Sequence, residues 1–128
     1  MKLSFTKALT LSAAVMAMTL TGGLATAADF PDKPITMYIG FRPGGAVDTT
    51  GRLIADKMSK ILGQPVVAVQ KTGGGGTVMA TQLINAKPDG YTIGMGASAA
   101  YVLAPLLNTD IQYDMVDDFD HIATVSIP

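Results

Sequence analysis

The chain has no cysteine and no tryptophan among its 128 residues, no glutamate, and a single histidine. Without cysteine there is no disulfide framework, no thiol nucleophile and no cysteine-based zinc site. His121 stands alone, with no second histidine within ligand spacing, so metal binding has no support. All ten acidic residues are aspartate, and the formal charge is −1 at pH 7, so no net basic charge invites nucleic acid. A membrane-length apolar run is also missing. Ala8–Leu20 is interrupted by Thr10, Ser12 and Thr19 and falls short of the ~20 residues of a bilayer span.

That run has the flanks of an export signal. Lys2 and Lys7 precede or open it, and Ala25-Thr26-Ala27 follows with the small-x-small pattern of a cleavage site. Residues 1–27 are expected to be a signal peptide cut before Ala28, the alternative being an uncleaved anchor. There is no Arg-Arg pair, and no cysteine follows the cut, so general secretion without a lipid anchor is expected. Losing Lys2 and Lys7 takes the formal charge from −1 to −3. What remains, residues 28–128, reads as a soluble exported polypeptide with no membrane-spanning stretch and a periplasmic destination.

Strand and helix patterns then alternate. Ile35–Ile39 is a short apolar run after Pro34 and reads as a buried strand. Val47, Thr50, Ile54, Met58 and Ile61 recur at three- and four-residue spacing, with Leu53 and Leu62 beside them. This predicts an amphipathic helix over Ala46–Leu62 with Arg52, Asp56, Lys57 and Lys60 outward. Gly63 stops it, and Pro65 bars its return. Val66–Val69 predicts a second strand, Thr77–Ala86 a second helix with Met79, Leu83 and Ile84 inward, and Tyr91–Met95 a third strand after the Pro88-Asp89-Gly90 turn. A third helix is expected over Ala99–Leu107, its last turn disturbed by Pro105. Asp117-Asp118-Phe119 predicts one helical turn, and Ile122–Ile127 a fourth strand. The order βαβαβαβ implies right-handed crossovers and a mainly parallel sheet of the α/β class.

In such a sheet, ligands sit at the carboxyl ends of the strands. Three loops rich in small residues fall there: Gly40–Asp48, Gln70–Thr77 and Gly94–Ala99. Each leads into a predicted helix, whose N-terminus offers unpaired N–H groups and partial positive charge. Together they suit an anion, most simply a carboxylate or phosphate. Each residue also has a plainer reading. Gly44-Gly45 serves equally as a tight turn, Asp48 as a carboxylate favouring the helix dipole, and Arg42 and Lys71 as solvated loop charges. Ser98 has no histidine or acid in a nucleophile arrangement. The four-glycine run lacks both the Walker Lys-Ser/Thr and the third glycine of a dinucleotide fingerprint. No cofactor is implied, and no base–nucleophile pair supports an enzyme.

Taken together, the motifs resemble a known family. Phe41-x-Pro43-Gly44-Gly45-x-x-Asp48, Gly63-Gln64-Pro65-Val66-Val67, Gly73-x-Gly75-Gly76-Thr77, Pro88-Asp89-Gly90-Tyr91-Thr92, Tyr113-Asp114 and Asp118-Phe119 occur in that order. This is similar to the substrate-binding proteins of tripartite tricarboxylate transporters, the Bug family of periplasmic receptors. The resemblance implies a two-lobed type II periplasmic-binding fold that closes on a small organic carboxylate. It also implies two membrane components of an ion-driven secondary transporter as partners. Carried over by position, the ligand-binding residues are Phe41, Pro43, Gly44, Gly45, Asp48, Gly75, Gly76 and Thr77, with Ser98 from the third loop; Arg42, a cation at a strand end beside a glycine loop, is added as a candidate from the sequence itself. Backbone N–H groups of the first two loops are expected to hold the carboxylate.

This chain departs from the family pattern at Arg42, at Gln70-Lys71-Thr72 and at Met79. It is also less than half the family's length. Residues 28–128 are therefore expected to form part of a first lobe, with the second lobe absent and ligand binding weak. Two alternatives stay open: an exported scaffold completed by a partner chain, and an enzyme gripping a phosphorylated anion at its glycine loops.

Overall fold

The computed structural model describes residues 29–111, 113–114 and 116–125. The expected signal peptide, residues 1–27, lies outside them. The first strand, β1, is Ile35–Ile39. Its side chains alternate between faces, as the two-residue period of a strand requires. Ile35, Met37 and Ile39 are buried, each worth roughly 1.5–3 kcal/mol of transfer free energy. Helix α1 spans Ala46–Leu62 and ends at Gly63, whose left-handed backbone (φ 68°) lets its N–H reach the Ser59 carbonyl.

Strand β2, Val66–Gln70, and strand β3, Thr92–Met95, both lie parallel to β1. The sheet order is β2-β1-β3, so the first strand is the central one. Helix α2, Thr77–Ile84, links β2 to β3 and ends two residues before the predicted Ala86. Right-handed crossovers in opposite directions put their helices on opposite faces, and the packing agrees. Val47, Ile54, Ala55, Met58 and Leu62 of α1 pack on the Ile35, Met37 and Ile39 face. On the other face, Met79 and Leu83 of α2 crowd against Gly94, and Met79 lies against Gly40. Ser59 ties α1 to β2 directly: its hydroxyl donates to the Ala55 carbonyl at 2.7 Å and accepts the Val66 N–H at 2.8 Å.

Four expectations need correction. Ile61 and Leu53 do not join the inner stripe of α1. They are 82% and 60% exposed, and the close approach to β1 is made by the small residues Gly51 and Ala55. The third helix is not uniform. A π-helical turn, Ala99–Leu103, precedes a short α-helix, α3, at Ala104–Leu107. Asp117-Asp118-Phe119 starts no helix; a single hydrogen-bonded turn instead closes at Asp118, whose N–H donates to the Asp114 carbonyl at 3.2 Å. The Asp114 carboxylate accepts the Val116 and Asp117 N–H groups, at 2.7 and 3.1 Å, in the manner of a helix cap, but the turn is not continued into a helix. Finally, residues 122–125 pair with no strand, and Ile122 is 79% exposed. Alternation alone supplies no ladder partner, and the described sheet has three strands. The remainder of that expected strand, residues 126–127, lies outside the described residues.

Candidate functional site

The β2-β1-β3 order brings the carboxyl ends of three parallel strands to one rim, the edge of an open α/β sheet where ligands characteristically bind. The Gly40 N–H donates to the Met95 carbonyl (3.2 Å), and the Lys71 N–H to the Ile39 carbonyl (2.9 Å), so the carboxyl ends of all three strands are locked together. Two of the predicted loops meet above this rim.

The first begins at Phe41 and turns through Arg42-Pro43-Gly44-Gly45. The Gly45 N–H donates to the Arg42 carbonyl at 3.3 Å, and Gly44 has φ 77°. Proline second and a left-handed glycine third is the pattern of a type II turn, and a side chain at Gly44 would be strained. The turn delivers the chain to α1, whose N-cap, Gly45, has no side-chain cap. The first helical bond runs from the Thr49 N–H to the Gly45 carbonyl at 2.9 Å. Ahead of it, the N–H groups of Ala46 and Val47 sit at the positive end of the helix dipole.

The second loop is Lys71–Gly76, ending in a 3₁₀ turn, Gly74–Gly76. Its four glycines all have positive φ. At Gly76, φ 105°, a Cβ would lie 2.8 Å from the Ala100 Cβ and 3.2 Å from the Phe41 ring. That contact is where the two loops touch. The Gly76 N–H donates to the Gly73 carbonyl (2.9 Å) and the Thr77 N–H to the Gly74 carbonyl. Both of these expected carboxylate donors are therefore already engaged within the turn.

Between the loops lies an open-sided cleft of about 510 Å³, lined by Gly40, Phe41, Arg42, Gly45, Ala46, Val47, Thr72, Gly73, Gly75 and Gly76. Of the predicted ligand residues, Phe41, Arg42, Gly45, Gly75 and Gly76 come together here. Arg42 is the one charged side chain among the lining residues. Pro43 and Gly44 shape the turn behind it. Thr77 lines a separate hollow of about 570 Å³ on the outer side of α2, with Gln82, Asn85 and Asp110 among its walls and away from the strand ends. Ser98 is exposed at the start of the π-helical turn. Lys71 lies with its Nζ 5.0 Å from the centre of the Tyr38 ring.

Asp48 faces away from the cleft and is 4% exposed. Its Oδ2 accepts the Gly44 N–H at 2.8 Å; its Oδ1 accepts Arg52 Nε at 2.8 Å and also Gln70 Nε2. The Gly44 N–H holds the carboxyl below its ordinary value of 3.8, with help from Arg52 and Gln70 and against the desolvation of burial. Gln70 is a residue sequence reasoning missed. Its signal was present: it shares the inward face of β2 with Val66 and Ala68, where a polar side chain needs a partner. Among the described residues, no group of three or more histidine, cysteine or acidic side chains could hold a metal ion.

The chain is similar to known proteins. Residues 50–127 match the family described as the tripartite tricarboxylate transporter family receptor. A UPF0065 protein of Bordetella bronchiseptica is 37% identical over 116 residues, covering 91% of this chain and 35% of the relative. Among solved structures, MatC from Rhodopseudomonas palustris with bound malate is 38% identical with a TM-score of 0.67, over 70% of this chain and 31% of that one. A structure described as a periplasmic transporter is 36% identical with a TM-score of 0.66, over 68% and 29%. The chain thus spans about a third of the length of the curated relatives it matches. No helix among the described residues is long and apolar enough to cross a membrane.

Proposed function

This chain belongs to the tripartite tricarboxylate transporter receptor family, and from that membership we propose that it is an exported, periplasmic receptor polypeptide whose cleft takes a carboxylate group of a small organic acid. Residues 1–27 serve as its signal peptide, residues 28–128 form part of the first lobe, and the membrane components of an ion-driven transporter receive the solute. The observation that carries this reading is the cleft between the loops that follow β1 and β2. There the uncapped start of α1, the Arg42 side chain and the Phe41 ring border one space. Ala46 and Val47 N–H groups with a guanidinium suit a carboxylate, and the ring supplies an apolar wall for its carbon chain. The bound malate of MatC supports the ligand class.

The cleft is open to water on one side, so this chain alone binds weakly. We expect affinity near about −4 kcal/mol, which is about millimolar, because few contacts here must offset the whole cost of association. Titration of the purified protein with malate, followed by amide NMR, tests this. Saturable shifts centred on Phe41, Ala46 and Val47 in the millimolar range are expected. Shifts elsewhere, or none, would sink the reading, and micromolar affinity would sink the claim of weak binding.

A further inference from the structure

We propose that Gln70 is a positioning residue for the cleft, acting through Asp48 on the turn that carries Arg42; the binding consequence rests on the carboxylate reading above. Gln70 ends β2, opposite Ile39 at the end of β1. It lines none of the cleft. Its amide Nε2 instead reaches across the face of the sheet to Oδ1 of Asp48 in the first turn of α1. The other oxygen of that carboxylate holds the Gly44 N–H at 2.8 Å. A continuous chain of hydrogen bonds therefore runs from the end of β2 to the third residue of the Arg42-Pro43-Gly44-Gly45 turn.

Arg52, on the next turn of α1, also donates to Oδ1, but it moves with Asp48 on the same helix. Gln70, among the described residues, is the hydrogen-bond partner of this carboxylate that comes from a strand, and so ties it directly to the sheet. The arrangement also has a local cost. Gln70 Oε1 is buried with no hydrogen-bond partner among the described residues, and an unsatisfied buried acceptor is destabilising. A side chain kept only for packing would be better served by an apolar residue of the same volume. The amide is explained by what its other end holds.

Gln70→Met separates the two roles. It keeps the volume, removes the donor and also removes the unpaired acceptor. The expected result is an unfolding midpoint at or near that of the natural chain. The Gly44 amide is expected to exchange with solvent roughly tenfold faster, and malate to bind roughly tenfold more weakly. Gln70→Ala, which lacks the volume as well, is expected to show the same Gly44 exchange together with lower stability. Unchanged Gly44 exchange in both variants would overturn the proposal, as would faster Gly44 exchange with malate affinity unchanged. If malate does not bind the natural chain at all, the carboxylate reading falls, and the Gln70–Asp48–Gly44 linkage is decided by the exchange of Gly44 alone.

Discussion

Arg42 and Asp48 are six residues apart and opposite in charge, yet they face different worlds. Arg42 is exposed at the lip of the cleft. Arg42→Ala is expected to weaken malate binding by about 1.5–3 kcal/mol, the range for a lost charged hydrogen bond. The same NMR titration reads this as a loss of saturation, and unchanged affinity would return Arg42 to a solvated loop charge. Asp48 is turned inward, and its carboxyl sits below the ordinary 3.8. A group with a depressed folded pKa adds stability above its unfolded value and loses it as pH falls through the folded one. Denaturant unfolding across pH is therefore expected to show Asp48→Asn less stable by a steady margin above pH 3.8, narrowing below it. A margin that persists into strong acid would mean that charge is not what Asp48 contributes. The sequence pointed to Asp48 as a first-turn carboxylate, which it is. Its distant partner, Gln70, sits 22 positions along the chain, and spacing within one helix carries no information about a contact of that kind.

Among the elements, β1, α1 and the Arg42–Gly45 turn were legible because each obeys a local rule: apolar period, glycine stop, or proline followed by a left-handed glycine. The third helix was not, and the reason is a particular carbonyl. In the π-helical turn the Ala104 N–H bonds back to the Ala99 carbonyl. The next residue, Pro105, has no N–H to offer the Ala100 carbonyl. The Tyr113 hydroxyl donates to it instead. Ala100 is fully buried and Tyr113 nearly so, so water cannot substitute. Tyr113→Phe is accordingly expected to cost about 1–3 kcal/mol, the penalty for an orphaned buried acceptor, measured by chemical denaturation; a neutral substitution would mean the carbonyl finds another donor. Proline announces the disturbance in the sequence, but nothing in the sequence says that a tyrosine eight residues later resolves it. The segment after Tyr113 was misread for a related reason: its aspartates bond to their own backbone, which no apolar pattern registers.

At the scale of the whole molecule, several large apolar side chains among the described residues stand in water. Leu103, Leu106 and Leu107, spaced three and four apart, are all exposed, the last at 83%, and Val116 and Ile122 are exposed as well. Exposed apolar groups of this size drive association. Sedimentation velocity is expected to show a coefficient that rises with concentration, and Leu106→Lys with Leu107→Lys to suppress the rise. A concentration-independent monomer in the natural chain would refute this.

The sheet order sets a timetable as well as a shape. β1 is made first, but Ile35 must find Val66, and Thr36 must find Thr92, so both ladders close across long stretches of chain. Such non-local pairings are entropically slow to form. The central strand therefore has no neighbour until β2 has emerged, and its second side stays bare until Met95 follows. β3 is thus the strand whose arrival closes the second side of β1 and completes the described sheet.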